Sequence, residues 1–212
     1  MYTLYTMPAS CSTAIHALLN QLDQPVEIVP FDQVNDYQQI AATKQVPALV
    51  DADKVLTEGA AIVLYLLEKH QIPLDSWGDK HQFHYWLMFC YATLHPAYSK
   101  LFASMTKMPD SKARDEFYDN MANRISELWQ IVDKQLAKQN YLLGDKLSVL
   151  DYLIAIYANW GNVFPQLTIT LGDNVIKHVA KIAQLPEFKL AYQREGATHS
   201  VPPRSECQFH SM

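Results

Sequence analysis

Charge is scarce in this sequence, and glycine scarcer still. Lysine, arginine, aspartate and glutamate make up 18% of the chain, with 22 acidic against 17 basic residues and a net charge of −5. A surface this short of positive charge excludes a nucleic-acid role, because phosphate backbones are held by basic patches. Six glycines in 212 residues leave no glycine-rich loop to cradle a phosphate. The cysteines, Cys11, Cys90 and Cys207, are odd in number and far apart; no disulfide framework is encoded, and a reducing cytoplasm is the expected setting. No apolar run is long enough to span a bilayer. The start, Met1-Tyr2-Thr3-Leu4-Tyr5, has neither the basic segment nor the apolar core of a signal peptide. Internal repeats and low-complexity tracts are absent.

What is there is a globular chain, 49% hydrophobic and long enough to bury a real core in one large domain or two small ones. Residues 2–5 alternate and read as a strand. Ser12 is the expected cap of a helix with Ile15, Leu18, Leu19 and Leu22 on its apolar face. Residues 26–29 read as a second strand and 36–42 as a short helix. Residues 46–50 and 54–56 read as two strands joined by the Asp51-Ala52-Asp53 turn. Thr57 is expected to open a helix carrying Ala61, Leu64, Tyr65 and Glu68. The order β-α-β-α-β-β-α predicts a small α/β unit with a mixed four-stranded sheet over residues 1–72.

Pro73 and Gly78 break the periodicity across 71–79, where the domain boundary is placed. Residues 80–212 then form an all-helical second domain. Pro96 predicts a kink within 80–106. Phe117, Met121, Ile125, Leu128, Val132 and Leu136 form an amphipathic stripe within 111–139. Ser148 and Asp151 have the spacing of a capping box. Residues 152–164 carry no charge, which predicts a buried central helix. Two short helices follow at 173–183 and 186–195, and the tail from Thr198 reads as irregular.

Three short segments carry candidate chemistry. Cys11 follows the first strand at a helix start, where free N–H groups and the helix dipole favour a thiolate; the plain alternative is a small buried hydrophobe. In Gln45-Val46-Pro47-Ala48, a cis Val46–Pro47 bond would turn the Val46 backbone outward to pair with an extended peptide. A trans bond is the commoner state. Thr57-Glu58-Gly59-Ala60 offers helix-start N–H groups to a carboxylate and the Glu58 side chain to an ammonium; a plain cap is the alternative. Ser10 and Ser12 are further candidates for contact with a thiolate, and Tyr5 competes as activator, with packing as its ordinary role. His81 and His84 have ligand-compatible spacing, yet no thiolate or carboxylate completes a set, so no metal is expected. The aromatic residues of 83–91 read mainly as core, and Cys207 and His210 as incidental.

Taken in order, the cysteine after strand one, the Gln-Val-Pro turn, the Thr-Glu-Gly helix start, Leu143-Gly144-Asp145 and Ser148-x-x-Asp151 resemble the cytosolic glutathione transferases along nearly the whole chain. Pro8, Cys11, Ser12 and His16 resemble the pattern of the bacterial beta class. The resemblance implies a thioredoxin-like first domain, an all-helical second domain and a cytoplasmic homodimer. It implies glutathione as co-substrate, held by Gln45, Val46, Pro47, Glu58 and Gly59, with Cys11 beside its sulfur and His95 as the active-site histidine of the second domain. Tyr98, Phe102 and Trp160 would line a pocket for a small hydrophobic electrophile, the setting of detoxification. Conjugation is the first activity implied. Thiol–disulfide exchange through Cys11 is the second, and a non-catalytic binding protein of the same shape the third. The chain departs from the family pattern at Ala42-Thr43-Lys44-Gln45, at Pro96, in the absence of a basic residue across 31–35, and at Gly59, where many relatives carry serine.

Overall fold

The computed structural model describes residues 1–105 and 107–200. Pro202-Pro203, Cys207 and His210 lie outside the described residues. The first part holds β1 (Tyr2–Thr6), α1 (Cys11–Gln21), β2 (Val26–Pro30), β3 (Ala48–Asp51), β4 (Lys54–Thr57) and α2 (Gly59–Lys69). The strands form one mixed, thioredoxin-like sheet in the order β2-β1-β3-β4. β1 runs parallel to β2, with Leu4 opposite Ile28, and antiparallel to β3, with Leu4 opposite Leu49. Tyr2, Leu4 and Thr6 point inward along β1, as period-2 alternation requires. The helix expected at 36–42 is only one tight turn, Tyr37–Gln39, entered through Asp36 in the left-handed region at φ 55°. That segment lacks the apolar stripe a longer helix needs.

From α3 (Lys80–Met88) onward every regular element among the described residues is helical. α3 runs through a wide turn, Phe89–Leu94, into α4 (His95–Met105). Pro96, which has no N–H to donate, directly follows this widened turn, where the His95 N–H reaches back to the Cys90 carbonyl. α5 (Lys112–Leu136) buries Tyr118, Ala122, Ile125, Leu128, Trp129, Val132 and Leu136. Toward its N-terminal end the stripe lies one residue beyond the expected Phe117 and Met121. α6 (Val149–Trp160) is buried along almost its entire surface, as its lack of charge implied. α7 (Asp173–Ile182) and α8 (Pro186–Arg194) close the fold.

α1 belongs to both parts. Its residues 11–19 are all buried, and it packs on α2 as well as on α6 and α8. One continuous core runs from the sheet through α1 to α6. Polar pins fasten the join. The carboxylate of Glu195, just past α8, lies 2.9 Å from His16 Nδ1 and accepts the Thr13 hydroxyl at 2.6 Å. His16, the histidine of the Pro-x-x-Cys-Ser pattern, is fully buried here and ties α1 to the end of α8.

Candidate active site

The site is built at the starts of α1 and α2 and at the turn before β3. Ser10 is the N-cap of α1; its hydroxyl accepts the Ser12 N–H at 3.2 Å. The Ser12 cap expected from sequence is thus displaced by two residues. Ser12 lies inside the first turn, and its hydroxyl accepts the Met7 N–H at 3.2 Å. It also sits 2.8 Å from the Ser10 hydroxyl. Both serines are buried and their hydroxyls are committed to the loop, which removes them as thiolate contacts. The loop is clamped from the helical part as well: Trp160 Nε1 donates to the Ala9 carbonyl at 2.8 Å.

Cys11 is the first residue of α1 and is 5% exposed. Its thiol donates to the Val46 carbonyl at 3.6 Å. Burial pushes its pKa up to about 12, outweighing the backbone N–H groups of Cys11 and Ser12 that pull it down, and the Glu58 charge adds to the rise. For the free protein, burial favours the plain alternative, a buried and protonated thiol. The dipole and the N–H groups are present, but the loss of water costs the anion more. Sequence places a cysteine at a helix start; it does not show what will cover it.

The Val46–Pro47 peptide bond is cis. Val46 is half-buried and precedes β3, and no group among the described residues takes its N–H. The turn is held by the Tyr37 hydroxyl, which donates to the Gln45 carbonyl at 2.9 Å. Tyr37 in turn packs on Tyr5 and Phe31, with ring centroids 5.6 and 5.7 Å away. Tyr5 has the packing role that competed with thiol activation. The Gln45 side chain is exposed beside this turn.

Thr57 ends β4 rather than opening a helix, and α2 begins at Gly59. Glu58 sits at its N-cap with φ 67°, a conformation that non-glycine residues adopt rarely and at a cost, and one that clusters at functional sites. Its side chain is exposed and gives α2 no cap hydrogen bond. Among the described residues, the N–H groups of Gly59, Ala60 and Ala61 have no partner. Gly59 is buried beneath the Tyr91 ring.

The second part contributes an aromatic cluster around Trp160. His95, Tyr98, Phe102 and Tyr157 have ring centroids 5.3, 5.6, 5.9 and 4.5 Å from it. Burial lowers the His95 pKa, so its imidazole is neutral at physiological pH. Tyr98 is fully buried, and its hydroxyl accepts Trp129 Nε1 at 2.8 Å. It ties α4 to α5 and is core rather than pocket lining, which corrects the expectation from sequence. Phe102 is partly buried against Phe164 at 4.7 Å. Trp160 is 8% exposed and serves as the clamp on the Cys11 loop.

Sequence reasoning passed over Tyr91 and Glu195. Tyr91 was one aromatic among many, and its signal was the glycine at position 59. Glu195 had no signal, since its partners lie at positions 13 and 16. Two surface hollows lie away from this site. One of about 540 Å³ is lined by Asp51, Lys54, Tyr65 and Lys69, and one of about 640 Å³ by Tyr85, Met88, Arg124 and Ile131.

Residues 1–68 match the family model described as "Glutathione S-transferase, N-terminal domain", and residues 94–186 the model described as "Glutathione S-transferase, C-terminal domain". A curated relative, glutathione S-transferase GST-4.5 of Xanthomonas campestris, is 27% identical over 169 residues, covering 75% of this chain and 82% of the relative. The solved glutathione S-transferase from Xylella fastidiosa superposes with a TM-score of 0.82 at 25% identity, covering 93% of this chain and all of that one. A bacterial beta class glutathione S-transferase from Sphingomonas chungbukensis shares the fold with a TM-score of 0.79 at 22% identity, covering 92% of this chain and 100% of its own.

Proposed function

The chain belongs to the glutathione S-transferase family, and we propose that it joins the thiol of glutathione to small hydrophobic electrophiles, with Cys11 acting as a protonated neighbour of the reacting sulfur. The observation that carries this reading is the convergence of the Cys11 thiol on the Val46 carbonyl at 3.6 Å, next to a Val46 N–H left open and the open start of α2. An extended tripeptide pairs with Val46 as an added strand. Its γ-glutamyl carboxylate meets the N–H groups of Gly59, Ala60 and Ala61, and its ammonium meets Glu58. Gln45 flanks the same stretch, and the cis Pro47 bond sets the direction of the Val46 backbone.

Glutathione's thiol has an ordinary cysteine pKa in water, far below the value burial gives Cys11. When the two sulfurs share one site, the proton stays on Cys11 and the glutathione sulfur ionises, losing its proton to solvent. The Cys11 S–H, turned from the Val46 carbonyl, then stabilises that anion together with the Cys11 N–H. The thiolate attacks an electrophilic carbon, a C–S bond forms, and the leaving group departs with the electron pair. Holding the two reactants together supplies much of the rate. Phe102, Trp160 and the neutral His95 offer apolar surface to the electrophile.

Disulfide exchange needs Cys11 as the attacking thiolate. Burial is the leading effect on the Cys11 thiol and disfavours that thiolate in the free protein. Conjugation is therefore preferred. The retained Cys11, Val46-Pro47 and Glu58 speak against a non-catalytic binding protein of the same shape, which the missing basic residue across 31–35 would favour.

The reading includes a homodimer in the cytoplasm. Tyr85, Met88 and Ile131 are 52%, 44% and 41% exposed along the hollow between α3 and α5, an apolar face suited to a second copy. Cys11 and Cys90 are free thiols, which suits a reducing compartment.

The test combines calorimetry with glutathione and turnover of chlorodinitrobenzene by wild type and Cys11→Ala. Wild type binds and conjugates. The variant still binds, conjugates more slowly, and wild type shows little exchange with a mixed disulfide. No heat with glutathione refutes the site; rapid exchange that Cys11→Ala abolishes would assign the oxidoreductase instead.

A further inference from the structure

Positive charge is missing from most of the first part. Residues 1–43 contain no lysine or arginine; Lys44 is the first and Lys54 the next. Lys54 lies at the far end of β3, over the Tyr65 ring at 5.7 Å, and Lys69 is bound to Asp51. Lys44 is exposed, and among the described residues no carboxylate pairs with its ammonium. Its backbone stands at φ 59°, in the left-handed region that suits glycine and holds a lysine at a cost. The Lys44 N–H donates to the Ala41 carbonyl at 2.8 Å, and the Tyr37 hydroxyl donates to the following carbonyl, that of Gln45, at 2.9 Å. These bonds fix the point where the Lys44 side chain leaves the backbone, two residues before Val46.

The sheet register gives the direction of a tripeptide paired with Val46. Ala48 stands opposite Thr57, and Glu58 and Gly59 follow Thr57 directly. The start of α2 therefore lies toward the Ala48 end of this segment, and Gln45 and Lys44 lie on the other side of Val46. An extended peptide with its γ-glutamyl end at α2 runs antiparallel to the segment. A strand advances about 3.3 Å per residue, so the glycine falls beside Gln45 and its terminal carboxylate comes next to Lys44. Glutathione carries two carboxylates and one ammonium. The N–H groups at the start of α2 and the Glu58 side chain account for the charges of the γ-glutamyl end. The glycyl carboxylate remains, and Lys44 is the lysine at that end of the segment.

We propose that the Lys44 ammonium pairs with the glycyl carboxylate of glutathione. The inference rests on the reading of Val46 and the α2 start as a glutathione site. It makes Lys44 a substrate-binding residue and gives a reason for a lysine in a backbone conformation that suits glycine. Because the pair is exposed, it contributes discrimination for the charged end of the tripeptide and only a modest share of the affinity.

The test is calorimetry on the full-length protein with two probes, glutathione and its glycyl amide, in which an uncharged carboxamide replaces that carboxylate. Wild type should bind glutathione about threefold to fivefold more tightly than the amide, the scale of an exposed ion pair, and added salt should shrink the preference. Lys44→Gln should lose about the same factor for glutathione and bind the amide as wild type does. Lys44→Arg keeps the charge and should keep the preference. Lys44→Gln binding glutathione as tightly as wild type overturns the lysine's role and leaves the site reading intact. Equal loss for both probes, or a wild type that does not distinguish them, also overturns it. No heat from wild type with either probe overturns both the role and the site.

Discussion

Two helix starts in this molecule are built from similar residues and do opposite work. At the start of α6, Ser148 and Asp151 form the reciprocal capping box. The buried Asp151 carboxylate accepts the Ser148 N–H and hydroxyl, each at 2.8 Å, and the Leu142 N–H, also at 2.8 Å. His178 Nε2 stands 3.2 Å from the same carboxylate. That end of the helix needs nothing from outside. At the start of α2 there is also an acidic residue, Glu58, but it sits in a costly backbone conformation, faces solvent and caps nothing. The first completes the fold; the second leaves its donors for a ligand. An acidic residue at a helix start thus signals stability or function according to whether its carboxylate turns inward.

The comparison breaks most visibly at Asp151. Asp151→Ala strands several buried donors, and urea denaturation should show a loss of about 3 kcal/mol or more. Protein that remains folded should bind glutathione with unchanged affinity. A loss confined to affinity would erase the distinction between the two helix starts. Glu58→Ala should do the reverse. Calorimetry should show glutathione binding about tenfold to a hundredfold weaker, since a charged hydrogen bond is lost, and the denaturation midpoint should not fall. A fall would mean that Glu58 supports the fold after all.

A third effect is smaller and depends on pH. Burial lowers the pKa of His95, and it is the leading cause of the same shift at His199. The unfolded chain therefore binds more protons than the folded one as the solution is acidified. Stability is held above the unfolded histidine value of about 6.5 and declines as pH falls below it toward the folded values. His95→Gln should flatten that decline in denaturation series at successive pH values, and a slope identical to wild type would show that His95 is not buried as neutral imidazole.

The first helix start was legible in the sequence because its chemistry is local. Ser148 and Asp151 are three residues apart, and the uncharged run after them announced a buried helix. The order of elements along the chain and the C-terminal part of the α5 stripe were legible for the same reason, since period and spacing are local properties. The second helix start was legible as a local pattern at Thr57-Glu58-Gly59-Ala60, but its link to Val46 and Cys11 only through resemblance, because they meet through the fold. What failed was whatever distant residues decide. The cap of α1 is Ser10 and not Ser12, and the two serines are equally good caps on propensity alone. The resemblance implies a pocket role for Tyr98, and the sequence does not show that its hydroxyl meets Trp129 in the core. For Cys11 the sequence leaves thiolate and buried hydrophobe both open, because its helix start is visible in the sequence whereas its burial is not.

Cys11 is where the account is most exposed, since the charged sulfur in the site is assigned to glutathione and not to the protein. The rate of iodoacetamide alkylation at Cys11, followed by mass spectrometry of its peptide from about pH 6 to about pH 10 in the free protein, reports which form the thiol takes. A buried thiol should react slowly, with a rate that still climbs at the alkaline end. A fast reaction that levels off near neutral pH would show a protein thiolate and contradict the assignment.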